Sequence, residues 1–169
     1  LHGDHYLGLV GLLSSMHLMG RKTELNLYGP KGLDEILNVQ FKYSETTLRY
    51  NLVFHETCPE NPGVIFENRT LKVSTFPLTH RIPCTGFRFD EGTRARTLLM
   101  DKVEKIGIPI PYYQLLKNGM DYTDEHGQVF FSYDLTLPAP LSRSYVYCSD
   151  TIRTSIYLPY VQNATLMYH

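Results

Sequence analysis

The spacing of apolar and polar positions along the chain predicts a mixture of helices and strands. Residues 5–19 carry apolar side chains at helical spacing and stop at Gly20, which predicts a helix, and a second helix is expected over residues 32–41. Short runs of β-branched and aromatic residues predict strands at residues 25–28, 64–66, 71–76, 86–89, 144–148 and 164–168. Strands mixed with helices indicate the α/β or α+β class.

Residues 90–142 differ in character from the flanking sequence. They contain a predicted short helix over residues 97–106, a proline-rich run over residues 107–111, and turn signals at Asn118-Gly119 and His126-Gly127. We expect this segment to be an excursion from the main sheet and not a second domain. Residues 1–169 are therefore expected to belong to one domain.

Composition and charge narrow the function classes. The chain has 169 residues, of which 43% are hydrophobic and 20% charged, and this is usual for a globular protein with its own core. No apolar run approaches the roughly 18–20 residues that a membrane span requires. The net charge of −1 lacks the basic excess that marks many nucleic-acid-binding proteins. Any contact with RNA would therefore come from a local patch.

The cysteines bear on the cellular compartment. Cys58, Cys84 and Cys148 are odd in number and have no short paired spacing, a pattern typical of reduced thiols in a cytoplasmic protein. The first residues show no basic segment leading into an apolar one, so no secretory signal is expected there. We expect the chain to begin within a domain.

Candidate chemistry is concentrated at the start of the chain. His2, Asp4 and His5 place two imidazoles and a carboxylate immediately before the first predicted helix, and the small Gly3 permits a tight backbone there. Imidazole and carboxylate together form a ligand set that suits zinc. A lone histidine is usually a core or surface residue, but this cluster predicts a metal site.

Two further residues could complete such a site. His80 and Asp150 each follow a predicted strand, and functional sites in layered α/β folds gather at strand ends. Either residue alone would more often be a capping or turn residue. His169 also ends a predicted strand. The remaining histidines are expected to be structural or solvent-facing: His17, His55 and His126.

These residues resemble the motifs of a known family. Residues 1–5 resemble the back part of the histidine–leucine–histidine–glycine–aspartate–histidine motif of the metallo-β-lactamase superfamily. Residues 77–87 are close to the form found in ribonuclease Z. Residues 147–151 resemble its aspartate–threonine motif, and residues 166–169 the start of its histidine–glutamate–alanine–threonine motif.

The resemblance implies a fold and a metal centre. The fold would be the αββα four-layer sandwich of the metallo-β-lactamase superfamily, incomplete at both ends. Of two zinc ions, the first would be held by His2, His80 and Asp150, and the second by Asp4, His5 and the bridging Asp150. Asp4 would also act as the base for the attacking water. His169 would assist departure of the ribose 3′ oxygen.

The resemblance also implies an activity. The protein would be a cytoplasmic, homodimeric endoribonuclease that removes the 3′ trailer from precursor tRNA. The products would be a tRNA with a 3′ hydroxyl and a trailer with a 5′ phosphate. Residues 90–142 would be the protruding arm that grips the tRNA body.

The sequence departs from the family pattern at several points. The family's metal set also needs a histidine immediately before Leu1 and another beyond His169. We therefore expect residues 1–169 alone to lack two fully occupied zinc ions and catalysis. Ser149 replaces a usual glycine, and residues 107–111 are shorter than the usual glycine–proline motif of the arm. Basic residues only slightly outnumber acidic ones over residues 88–117.

Two alternative functions remain open at this point. One is a hydrolase of the same fold that acts on small phosphodiesters, thioesters or sulfate esters, against which the long arm argues. The other is a catalytically silent relative that binds RNA or a protein partner through the same scaffold.

Overall fold

The computed structural model describes all residues from 1 to 169 and confirms the mixed α/β class. The helices are α1 Gly3–Leu18, α2 Leu33–Tyr43, α3 Met100–Ile106, α4 Tyr113–Lys117, α5 Ser132–Leu135 and α6 Leu158–Val161, with a short 3-10 helix at Ile110–Tyr112. The strands are β1 Leu25–Pro30, β2 Leu52–Thr57, β3 Val64–Glu67, β4 Leu71–Leu78, β5 Cys84–Glu91, β6 Thr97–Leu98, β7 Tyr122–Thr123, β8 Val129–Phe130, β9 Thr136–Leu137, β10 Ser144–Tyr147 and β11 Leu166–Tyr168. None of the helices combines the length and the apolar character that crossing a membrane would need.

Three of the six residues predicted to be functional, His80, Asp150 and His169, lie just after strands of a five-stranded sheet. Its strand order is β11-β10-β5-β4-β3, and β10 and β11 are parallel with Tyr147 opposite Tyr168. Strands β1 and β2 form a separate parallel pair, in which Leu25 lies opposite Leu52 and Pro30 lies opposite Thr57. Because β10 and β11 are parallel, their carboxyl ends lie at the same end of the sheet. Asp150 and His169 come just after these ends in the sequence.

The chain divides into two compact units. The first contains residues 1–66, 73–89 and 144–169, and the second contains residues 67–72 and 90–143. In the first unit, one core cluster lies between the large sheet and α6 and contains Phe76, Leu78, Val146, Cys148 and Tyr157. A second cluster packs α1 against α2 through Leu13, Leu33 and Leu37.

The second unit has a core of its own. It is built from one residue each of α3, the loop after α3, α4, β7 and α5, namely Val103, Ile108, Leu116, Tyr122 and Leu135. The second unit also contains two small antiparallel strand pairs, β6–β9 and β7–β8. The two ends of the segment are joined where the Arg143 guanidinium donates to the Glu91 carboxylate at 2.6 Å. That the segment is an arm inserted into one domain stays a prediction.

Two details of the predicted elements are wrong. The helix expected over residues 97–106 starts only at Met100, because Thr97 and Leu98 extend into β6 and pair with β9. The metal-site cluster was expected immediately before a helix, but α1 begins at Gly3, so Asp4 and His5 lie in its first turn.

Candidate metal centre

The first turn of α1 meets the loop that follows β10. The Nε2 atom of His5 lies 3.1 Å from Oδ2 of Asp150. His2, which precedes the helix, also contributes a nitrogen, and one ligand atom from each of the three residues lies within 4.8 Å of the others. Residues that are far apart in sequence therefore form a group with the composition and spacing of a metal site.

His80 lies directly beside this group. Its ring packs edge-on against the ring of His2, with the centroids 5.2 Å apart. The Nε2 atom of His80 is buried and has no hydrogen-bond partner. Leaving a buried polar atom unsatisfied costs about 1–3 kcal/mol. A metal ion would satisfy this nitrogen, and the imidazole and carboxylate donors around it fit zinc.

The loop that carries His80 is anchored to the loop that carries Asp150. The Thr79 N–H donates to Oγ1 of Thr151 at 3.0 Å, and the Ile152 N–H donates to the Thr79 carbonyl at 3.0 Å. These bonds join the end of β4 to the segment after β10. They explain how His80 and Asp150, which are far apart in sequence, come close together.

Asp4 and His169 lie outside the group of three. The side chain of Asp4 is 79% exposed, and its Oδ2 atom is 3.5 Å from Nε2 of His5. The Nε2 atom of His169 lies 3.2 Å from the hydroxyl of Tyr157. The Cys148 N–H donates to the Tyr168 carbonyl at 2.9 Å. His169 and Asp150 therefore follow their strands at the same end of the sheet.

Two of the other histidines have hydrogen-bond partners away from this group, and the third lies in an exposed turn. Nδ1 of His17 accepts the Arg49 N–H at 3.0 Å, and Nε2 of His55 lies 2.6 Å from Oδ1 of Asn26. His126 occupies an exposed turn.

The group borders a cavity of about 280 Å³ in the first unit. The polar lining includes His2, His5, His80 and Asp150, and apolar side chains such as Leu9, Ile82 and Phe87 form much of the remaining wall. Within this cavity the Nε2 atom of His80 is buried, whereas the side chains of His5 and Asp150 are 35% and 51% exposed.

Several polar neighbours were not predicted from the sequence. The Arg81 guanidinium lies 3.1 Å from Nε2 of His2, and the Ser149 hydroxyl lies 3.5 Å from Nδ1 of His5. Thr57 lines the cavity with a buried hydroxyl that has no partner. Arg81 and Ser149 could have been predicted as site residues, because they are adjacent in sequence to His80 and Asp150. No local sequence pattern indicates a role for Thr57.

Cys84 contributes a thiol to the cavity wall. Burial raises the pKa of the Cys84 thiol, and the nearby Asp150 carboxylate raises that pKa further. The thiol therefore stays protonated near neutral pH when no metal ion is bound.

Comparison with known proteins agrees with the motifs. No protein-family model matches the chain. A curated protein named ribonuclease Z from Bacteroides fragilis is 40% identical over 169 residues, which are 100% of this chain and 56% of that relative. One from Cytophaga hutchinsonii is 45% identical over 170 residues, covering 99% of this chain and 53% of the relative.

The chain is a homologue of ribonuclease Z. The similarity extends through the whole sequence, including residues 90–142, while the chain spans about half the length of the ribonuclease Z relatives it matches. Two solved structures show partial likeness. Human tRNase Z, short form, has a TM-score of 0.48 and 35% identity over 54% of this chain and 42% of that chain. The metallo-β-lactamase fold protein YhfI from Bacillus subtilis has a TM-score of 0.47 and 16% identity over 99% of this chain and 44% of that chain.

Proposed function

We propose that this chain carries the metal centre of a zinc-dependent endoribonuclease that removes the 3′ trailer from precursor tRNA. The products would be a tRNA 3′ hydroxyl and a trailer 5′ phosphate. The observation that carries the proposal is the grouping of His2, His5 and Asp150 beside the unpartnered nitrogen of His80. Homology to ribonuclease Z supplies the class of substrate.

The donor residues divide into two sets that share one carboxylate. His2, His80 and Asp150 would hold one zinc ion, and Asp4, His5 and Asp150 would hold the other. The short distance between His5 and Asp150 and the ring contact between His2 and His80 support this division. Zinc bound there would supply Lewis-acid chemistry, lowering the pKa of water and stabilising negative charge on phosphate oxygens.

The remaining chemistry falls to residues of the chain itself. The exposed carboxylate of Asp4 would accept a proton from the attacking water, because it reaches solvent while touching His5. His169 would donate a proton to the ribose 3′ oxygen as it leaves. An imidazole suits this task, since its ordinary pKa lies near neutral pH.

The second compact unit would bind the tRNA body. It presents exposed basic and aromatic side chains, among them Arg94, Lys105 and Tyr133. Cations bind phosphates without regard to sequence, and aromatic rings provide stacking surfaces for unpaired bases. We further propose that the protein acts as a homodimer in the cytoplasm, where its three free cysteines would stay reduced.

Cleavage of a precursor tRNA by the full-length protein tests the proposal. We expect one cut after the mature 3′ end, with a hydroxyl on the tRNA and a phosphate on the trailer, and loss of cutting when zinc is chelated. Hydrolysis of small phosphodiesters without tRNA cleavage would favour the small-substrate alternative. Binding of tRNA without hydrolysis of either substrate would favour a silent relative.

A further inference from the structure

Tyr157 connects the hydrophobic core to His169. Its ring is only 4% exposed and packs with Phe76, Val146 and Cys148, just before α6. Its hydroxyl lies 3.2 Å from Nε2 of His169, and the two ring centroids are 5.9 Å apart. A buried tyrosine hydroxyl generally needs a hydrogen-bond partner, and here that partner is an imidazole.

Within residues 1–169, the Tyr157 hydroxyl is the hydrogen-bond partner of the His169 ring. An imidazole without such a restraint exchanges rapidly between rotamers. Tyr157 is already ordered by the core, so a hydrogen bond to it restrains the imidazole at little further entropic cost.

We propose that Tyr157 is a positioning residue that orients His169 for proton donation to the leaving ribose oxygen. The inference rests on the proposed function, which assigns that donor role to His169. In the imidazolium form, Nε2–H donates to the Tyr157 oxygen, and Nδ1–H is the proton left for transfer. When Nδ1–H passes to the leaving oxygen, the Nε2–H bond to Tyr157 stays in place and the neutral imidazole keeps its orientation.

Tyr157→Phe in the full-length protein isolates the hydroxyl, because phenylalanine keeps the ring that fills the core. Tyr160→Phe is the matched control: it lies three residues further on, and its ring stacks on Phe76 with centroids 5.3 Å apart. We expect Tyr157→Phe to lower kcat on precursor tRNA roughly tenfold with KM unchanged, part of the roughly 10²–10⁴-fold that general acid–base catalysis contributes. Tyr160→Phe should leave kcat unchanged.

A second substrate separates positioning from a structural effect. Bis(4-nitrophenyl) phosphate releases a phenolate that is stable without protonation, so Tyr157→Phe should leave its hydrolysis unchanged. Equal losses on both substrates, or no loss on precursor tRNA, would overturn the proposal.

Nitrogen chemical shifts of the His169 ring give a readout that does not depend on activity. With signals assigned through His169→Gln, we expect the wild-type ring to show one dominant protonation pattern and Tyr157→Phe to show averaging between the two nitrogens. Identical shifts in the two proteins would refute the contact. If the wild type fails to cleave precursor tRNA, the proposed function is wrong, while these spectra still decide whether Tyr157 orients His169.

Discussion

The Nε2 atom of His5 lies 3.1 Å from Oδ2 of Asp150, although 145 positions separate the two residues in sequence. This contact ties the first turn of α1 to the loop after β10. The same loop is joined to the end of β4 through Thr79 and Thr151. Three distant segments thus meet where the imidazole and carboxylate donors are grouped, and Asp150 is the residue on which the proposed metal sets depend.

Replacing Asp150 by alanine should remove zinc binding and hydrolysis together, because one carboxylate would be lost from both metal sets. Loss of an outer contact to a ligand typically costs about 10–100-fold in metal affinity, and loss of a direct ligand should cost more. Zinc content and the zinc-induced rise in Tm of the full-length protein measure the effect. His126→Ala is the control, since His126 lies in an exposed turn. Tight zinc binding by Asp150→Ala would show that Asp150 does not bridge.

The sequence predicted which residues belong to the candidate metal centre, but not which residues contact them. Clustering of His2 and His5 and the placement of Asp150 and His80 after strands were enough to nominate them. The partners came from tertiary structure: Arg81 reaches His2 across 79 positions. Such contacts depend on how the loops after the strands are anchored to one another. The periodicity of apolar residues in the sequence does not indicate this anchoring.

The fold, too, could be predicted in part from the sequence. The long helix α1 was predicted from apolar spacing, and β3 and β4 were predicted from their β-branched and aromatic residues. The two-residue strand β6 could not be predicted, because only its partner β9, about forty positions later, makes Thr97 and Leu98 extended. Local propensity is a weak guide where pairing is remote.

Gly86 is required where β5 crosses the core. A Cβ atom at this position would overlap the ring of Phe76, which is fully buried. Gly86→Ala should therefore destabilise the protein by about 1–3 kcal/mol, the usual cost of overpacking a core. Gly63→Ala is the matched control, because nothing lies within 4 Å of an added Cβ there. Denaturant unfolding of the two variants measures the difference, and equal stabilities would mean that the Phe76 ring moves aside freely.

The Glu91–Arg143 pair should make stability depend on acidity. Hydrogen bonds and charge from Arg143 lower the pKa of the Glu91 carboxyl from 4.5 to about 2. A lowered folded-state pKa adds stability that is fully present above the unfolded pKa and is lost as pH falls towards about 2. The stability difference between wild type and Glu91→Gln should therefore shrink from pH 6 to pH 2.5. Both side chains are solvent-accessible, so the effect should be small and weaken with added salt.

Glu104→Gln serves as the control for that titration, since it also removes one carboxylate from the second unit. The stability difference should change less with pH for Glu104→Gln than for Glu91→Gln, because the bonds to Arg143 are made by Glu91. A Glu91→Gln curve parallel to that of wild type would exclude the pair as a source of acid sensitivity.

Removing residues 95–135 should separate tRNA cleavage from the chemistry. The deletion takes out most of the second unit, including its core, but keeps Glu91 and Arg143, which join the ends of the segment. We expect precursor tRNA cleavage to fall at least a hundredfold, because substrate positioning would be lost. Hydrolysis of bis(4-nitrophenyl) phosphate should persist. A similar loss on both substrates would mean that the segment supports the metal centre itself.

The location of zinc in crystals of the full-length protein tests the central claim most directly. Diffraction data collected on both sides of the zinc absorption edge locate the ions by their anomalous signal alone. We predict one zinc bonded to His2, His80 and Asp150, and a second bonded to Asp4, His5 and Asp150. Zinc bound at other residues, with Nε2 of His80 still unpartnered and no anomalous peak beside Asp150, would contradict the account.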